Sequence, residues 1–175
     1  MSFRPTGPRS YTRRQMAHSS APDRSPARSQ PRSPAAAGPV VLATLGVRVD
    51  PRAEQFACAA ALEVGASLII ASMLELQPFP LTFMLAREHA TLPHEEDLDA
   101  VRATAARAAA CGIPTELLRV SSPRPVTALL ELTDERRAGL LVFGPDRRRL
   151  SRRRFRAATR AVRKRAVCLV WIADA

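Results

Sequence analysis

Glycine is scarce in this chain. There are seven in 175 residues, and none lies beyond Gly144. A loop that cradles phosphate on its own N–H groups depends on glycines, which leave no side chain in the way and permit positive φ. Such a loop can therefore begin at Gly144 but cannot be completed by glycine after it. Long apolar runs are also missing, since no segment approaches the roughly 18 apolar residues of a membrane span. The basic N-terminus is not followed by an apolar stretch, which excludes a secretory signal. The three cysteines, Cys58, Cys111 and Cys168, share no metal-ligand spacing and lie in apolar or alanine-rich surroundings. They read as thiols in a reducing compartment, so a cytoplasmic protein is expected.

Catalytic and metal signatures are equally sparse. No serine, cysteine or histidine stands in a nucleophile arrangement, so no enzymatic activity is expected. Of the three histidines, His18 falls in the N-terminal stretch, while His89 and His94 flank a loop beside Glu95, Glu96 and Asp97. Their spacing fits no metal signature, and acids at the positive end of a helix have a sufficient role there.

What is present is positive charge, unevenly placed. The net charge is +11, but residues 39–143 carry nine Arg against thirteen acids. Residues 1–38 carry seven Arg and one Asp, and residues 144–165 hold eleven Lys or Arg against a single acid, Asp146. The basicity thus sits in a tail and one segment, a distribution that bears on partners more than the total does. Residues 1–38 are rich in Pro, Ser and Arg and poor in apolar side chains, so they are expected to stay disordered. They form either a solvated tail, with Met16 as an alternative start, or an arm for a polyanion. Phe3 and Tyr11 are its only groups able to stack on bases.

From Pro39 onward the pattern alternates. Val40–Leu45 reads as a buried strand ending at Gly46, and Asp50-Pro51 as an N-cap followed by proline at the first helical position. Phe56, Ala57, Ala60, Ala61 and Val64 then recur at helical spacing, and Gly65 stops the helix. Leu68–Leu74 is a second strand. Residues 75–94 are broken by prolines, with a short helix expected over Leu81–Ala90. Glu95–Ala110 is a helix with Leu98, Val101, Ala105 and Ala108 inward. Thr115–Val120, Leu140–Phe143 and Val167–Ile172 are further strands, separated by helices from Pro125 and over Arg147–Arg165. Continuous apolar strands alternating with helices predict a three-layer α/β/α sandwich on a five-stranded parallel sheet, Rossmann-like in class.

The order and spacing of four pieces carry a resemblance. They are the first strand with Gly46, the passage Ala109–Val120 with Gly112 and Glu116, the run Leu140–Gly144, and Ala161-Val162 followed by Val167–Val170. Residues 39–173 resemble the universal stress protein family. The resemblance implies an adenine-nucleotide-binding fold (adenine nucleotide alpha hydrolase-like) and usually a homodimer with the last strand at the contact. Here that strand would offer Val167, Leu169 and Trp171. It also implies an ATP motif after the fourth strand: Gly, two residues, Gly, nine residues, Gly, then Ser or Thr. Gly144 matches the first position, Arg147 stands at the second, and Arg156 or Ala157 at the third. The family's aspartate at the end of the first strand corresponds to Leu45.

Three readings follow. In the first, the chain is a stress-related regulatory or interaction domain that keeps only a vestige of the nucleotide loop in Gly46, Gly144, Arg147 and Ser151. In the second, Arg147–Arg154 clamp the phosphates of ATP or AMP in place of the glycine loop. In the third, Arg149, Arg152, Arg156, Arg160 and Arg163 form a basic stripe for nucleic acid or another polyanion. Ser151, within Arg-Arg-Leu-Ser, reads as a helix N-cap or a kinase site.

Overall fold

The structure is a computed structural model that describes residues 38–76 and 95–173. The N-terminal tail, Met16, the helix expected over Leu81–Ala90, and His18, His89 and His94 lie outside the described residues. The elements are β1 (Val40–Thr44), α1 (Pro51–Val64), β2 (Leu68–Glu75), α2 (Glu95–Ala110), β3 (Thr115–Ser122), α3 (Pro125–Glu135), β4 (Leu140–Phe143), α4 (Arg152–Arg165) and β5 (Leu169–Ile172). All neighbouring strands are parallel, and the sheet order is β3-β2-β1-β4-β5.

The central strands are apolar at every position because both sheet faces are covered. In β1, Val41 and Ala43 pack with Leu129 of α3 and with Phe155, Ala158 and Val162 of α4. Val40 and Leu42 face the other way, onto Ala53, Ala57 and Ala61 of α1 and Val101 and Ala108 of α2. Small alanines on α1 let that helix approach the sheet closely. α1 starts as its sequence dictates, with the Asp50 carboxylate accepting the Arg52 N–H at 2.9 Å, and ends at Gly65 in the left-handed region.

The structure departs from the sequence expectation in four places. The inward face of α1 is Ala53, Ala57 and Ala61, while Phe56 and Val64 are exposed; the face is rotated toward the smallest residues. On α2 the buried residues are Asp97, Val101, Thr104 and Ala108, so two polar groups take places that periodicity assigns to apolar ones. α4 begins only after Ser151, leaving Gly144–Leu150 as a loop. β5 begins at Leu169, and Val167 stands before it, 77% exposed.

Candidate functional site

The sheet order turns back between β1 and β4, since successive strands extend one way to β3 and the other way to β5. In an open parallel sheet, the crevice outside the carboxyl ends of the two strands at such a switch point is the place for a ligand. Its walls here are the β1–α1 loop, Leu45–Asp50, and the β4–α4 loop, Gly144–Ser151.

The two walls are joined to each other. Val49 and Pro145 form an antiparallel bridge. The Asp50 N–H donates to the Gly144 carbonyl, and the Asp146 N–H to the Arg48 carbonyl, each at 2.9 Å. The Arg48 Nε–H donates to Asp146 Oδ2 at 2.6 Å, and the Arg148 N–H to Asp146 Oδ1 at 2.9 Å. Asp146 is buried, which by itself raises its pKa. The Arg48 hydrogen bond, the Arg148 N–H and the charges of both arginines outweigh burial and hold the carboxyl below its ordinary value. The buried Asp97 of α2 adds a third tie by accepting the Arg48 N–H at 3.1 Å. Arg149 also reaches Asp97, at 3.5 Å, and its neighbour Glu96, at 3.3 Å. The polar groups of this crevice are thus spent on one another.

Gly144 is held for a different reason from a phosphate loop. Its φ is not positive, but a Cβ added to it would lie 2.1 Å from the Cβ of Ala53 on α1. It is the point where α1 crosses the end of β4. Gly46, by contrast, has φ +69°, a turn conformation that glycine adopts without strain.

The remaining motif positions fall in or against α4. Arg147 lies with its guanidinium carbon 5.0 Å from the centre of the Phe155 ring, a cation–π contact. Ser151 is the N-cap, its Oγ accepting the Arg154 N–H at 3.3 Å, and the Phe155 N–H donates to the Ser151 carbonyl at 2.9 Å. Arg156 and Ala157, at the third glycine position, are therefore inside the helix, where backbone N–H groups bond to the preceding turn.

On the α3–α4 side of the sheet, Leu45, Glu75, Arg124, Val126, Arg154 and Ala157 line a small cavity of about 370 Å³. Arg154 crosses it to Glu75 at 2.6 Å. On the α1–α2 side a cleft of about 820 Å³ includes Arg48, Glu54, Cys58, Thr104, Arg107, Cys111 and Asp146. Arg107 grips Glu54 with two hydrogen bonds of 2.6 and 2.7 Å and holds that carboxyl below its ordinary value, while burial pushes the Cys58 thiol up.

The predicted basic stripe divides. Arg149 turns to α2, as described, and Arg152 is exposed at the start of α4. Arg156, Arg160 and Arg163 share a groove with Arg147 and Lys164. In the predicted contact strand, Leu169 is 74% exposed, whereas Trp171 stacks on Phe56 with ring centres 4.6 Å apart. Sequence reasoning gave no role to Asp146 as a clasp or to Glu75, and assigned Asp97 only to the positive end of α2. The one available signal was the isolation of Asp146 among eleven basic residues.

Among the described residues, no helix is long and apolar enough to cross a membrane, and no group of three or more His, Cys, Asp or Glu is placed to hold a metal ion. The profile of the Universal stress protein family matches residues 37–174. No curated protein matches the chain in sequence. Among solved structures, a universal stress protein in complex with cAMP is 26% identical, covering 79% of this chain and 99% of its own, with a TM-score of 0.55. A universal stress protein from Archaeoglobus fulgidus is 21% identical, covering 77% and 97%, at 0.50. One from Lactobacillus plantarum is 17% identical, covering 78% and 98%, at 0.56.

Proposed function

The chain belongs to the universal stress protein family, and from that premise we propose that it is a non-enzymatic, cytoplasmic regulatory or interaction domain that does not hold ATP in the mode typical of the family. The observation that supports this reading is the stitching of the β1–α1 loop to the β4–α4 loop. A nucleotide entering between them would have to break the Val49–Pro145 bridge, the two backbone hydrogen bonds and the Arg48–Asp146 pair. It would gain no free glycine N–H groups in return. Leu45 offers no hydrogen bond at the adenine end, and the Arg154–Glu75 pair spans the neighbouring cavity. The relative solved with cAMP supports adenine-nucleotide binding within the fold, but the side chains that meet this crevice here are bound to each other.

The reading of Arg147–Arg154 as a clamp draws less support. Arg149 is held by Glu96 and Asp97 and Arg154 by Glu75, while Arg147 lies over Phe155 in a groove along α4. The domain acts as a homodimer joined through β5, the edge of the described sheet, whose Leu169, with the neighbouring Phe56 and Trp171, offers an apolar surface.

Titration calorimetry with ATP, alongside AMP, tests the nucleotide part. Any heat seen with ATP at low salt should weaken steadily as salt rises. Micromolar affinity for ATP that survives higher salt would overturn the reading.

A further inference from the structure

Helix α4 has two flanks with different electrostatic fates. Its buried stripe, Phe155, Ala158 and Val162, rests on the sheet. On one side of that stripe, Arg154 and Arg165 turn toward the α3 side, Arg154 to Glu75 of β2 and Arg165 to Thr127 of α3 at 3.3 Å. On the other side, helical spacing sets Arg156, Thr159, Arg160 and Arg163 along one flank with Lys164 at its margin. Because α3 packs on β2 and β3 while α4 packs on β5, this second flank faces outward past the open edge of the sheet.

Arg147 comes to the same place from the β4–α4 loop. Arg147, Phe155, Arg156, Thr159, Arg160, Arg163 and Lys164 together line a groove of about 760 Å³, and among the described residues no acid lines it. Elsewhere the cations of this segment find acids, as Arg149 and Arg154 do, but no ion pair among the described residues includes Arg156, Arg160 or Lys164. Gathering Arg156, Arg160 and Lys164 with no ion pair among the described residues destabilises the bare protein and raises the local concentration of anions. The groove also holds the described side-chain polar atom that is buried without a hydrogen-bond partner, the Thr159 hydroxyl. A buried hydroxyl left unpaired is costly, and an acceptor oxygen in the groove would complete it.

We propose that this groove is a binding site for a compact oligophosphate, a ligand with several linked phosphate groups, held by Arg147, Arg156, Arg160 and Lys164 with the Thr159 O–H donating to a phosphate oxygen. The arginine forks suit non-bridging phosphate oxygens, and the groove contains nothing that reads a base. A compact ligand fits better than a long nucleic-acid backbone for a geometric reason. The cations converge on a concavity from a loop and a helix, and the arginines that would prolong the row, Arg149 and Arg154, are already held by Glu96, Asp97 and Glu75. This site is separate from the crevice at the switch point and goes beyond the reading given above.

The test is titration calorimetry of the full chain with inorganic tripolyphosphate, at low and moderate salt. ATP, AMP and a short single-stranded DNA are parallel ligands. Tripolyphosphate should bind as tightly as ATP, AMP should bind far more weakly, and affinity should fall with salt. The double variant R156Q/R160Q should lose about tenfold or more. R152Q/R153Q, with the same net charge but outside the groove, should lose little. T159V, which changes no charge, should lose a few-fold while circular dichroism shows the fold intact. Equal losses in the two double variants would reduce the effect to general charge and overturn the site. Tighter binding of DNA than of tripolyphosphate would make the surface a nucleic-acid one instead. ATP binding well above tripolyphosphate, and indifferent to R156Q/R160Q, would overturn the groove and the loss of the nucleotide crevice together.

Discussion

Replacing Gly144 with alanine separates two explanations of the glycine that ends β4. If the residue were glycine to let phosphate approach, a methyl group there would impair ligand binding and barely affect folding. The structure gives it another role. The added Cβ would lie 2.1 Å from the Ala53 Cβ, where carbon atoms settle at about 3.5–4.0 Å. Both atoms are fixed directly to backbone, so no rotamer can relieve the overlap. α1 or the end of β4 has to shift by more than an ångström, through a region where Asp50 donates to Gly144 and Ala53 is fully buried. Overpacking of this kind costs about 2–3 kcal/mol, which in a chain of this size lowers Tm by roughly 4–12 °C. Ala53→Gly alone should cost about 1 kcal/mol, the penalty of glycine inside a helix. The double variant A53G/G144A removes the clash and should fall close to A53G, leaving a coupling of about 2 kcal/mol between the sites. Urea unfolding followed by circular dichroism measures all four proteins, with m-values checked for constancy. A neutral G144A, or a double variant in which the losses simply add, refutes the packing argument.

Other consequences are open to simpler checks. Asp146 and Glu54 both have carboxyl pKa values depressed below the ordinary 3.8 and 4.5. Their unfolded forms bind protons first as pH falls, so the stability they confer is complete above those ordinary values and is lost as pH drops through the depressed ones. D146N should flatten that acid limb in pH-dependent urea titrations, and an unchanged slope would remove Asp146 from the account. At neutral pH D146A should cost about 1–3 kcal/mol, because Arg48 is partly exposed but the Arg148 N–H is left without its acceptor. S151A should cost about 1 kcal/mol by uncapping α4, and S151T should keep most of the cap; equal stability of all three forms would mean the cap is idle. The parent chain should sediment as a dimer and Leu169→Lys as a monomer, and a dimer unaffected by the substitution would move the contact away from β5.

The sheet was readable because its central strands carry their own signal. Val40–Thr44, Leu68–Leu74 and Leu140–Phe143 are apolar runs that only a doubly covered strand makes sensible, and Asp50-Pro51 and Gly65 mark α1 by local chemistry. Leu45 at the family's aspartate position and the missing glycines pointed to an altered site. What ties the two loops of that crevice together was not readable. Arg48 and Asp146 are 98 residues apart, and Arg48 and Asp97 are 49 apart. Nothing in the neighbours of either residue names its partner. Asp97 and Thr104 look like surface positions in a helix, yet each is buried because a long-range hydrogen bond takes it inward. Phe56 misled for the converse reason: a large apolar residue at helical spacing suggests the core, but its partner is the edge residue Trp171. The Thr159 hydroxyl carries no sequence signal at all.

The open side of β5 and the arginine flank of α4 lie along the same border of the molecule, and symmetry ties them together. Antiparallel pairing of two β5 strands generates a two-fold axis perpendicular to the sheet, which brings the two α4 helices to the same face with their outward flanks opposed. Each of Arg156 and Arg160 would then look across the axis at the same flank of its twin. The backbone invites assembly while the side chains resist it, and ionic strength sets the balance. Such a pair should tighten, not loosen, as salt rises toward the point where the Debye length falls below the gap between the helices. An unscreened edge of this kind would keep the strand from pairing indiscriminately, much as lysines do on the exposed borders of other sheets.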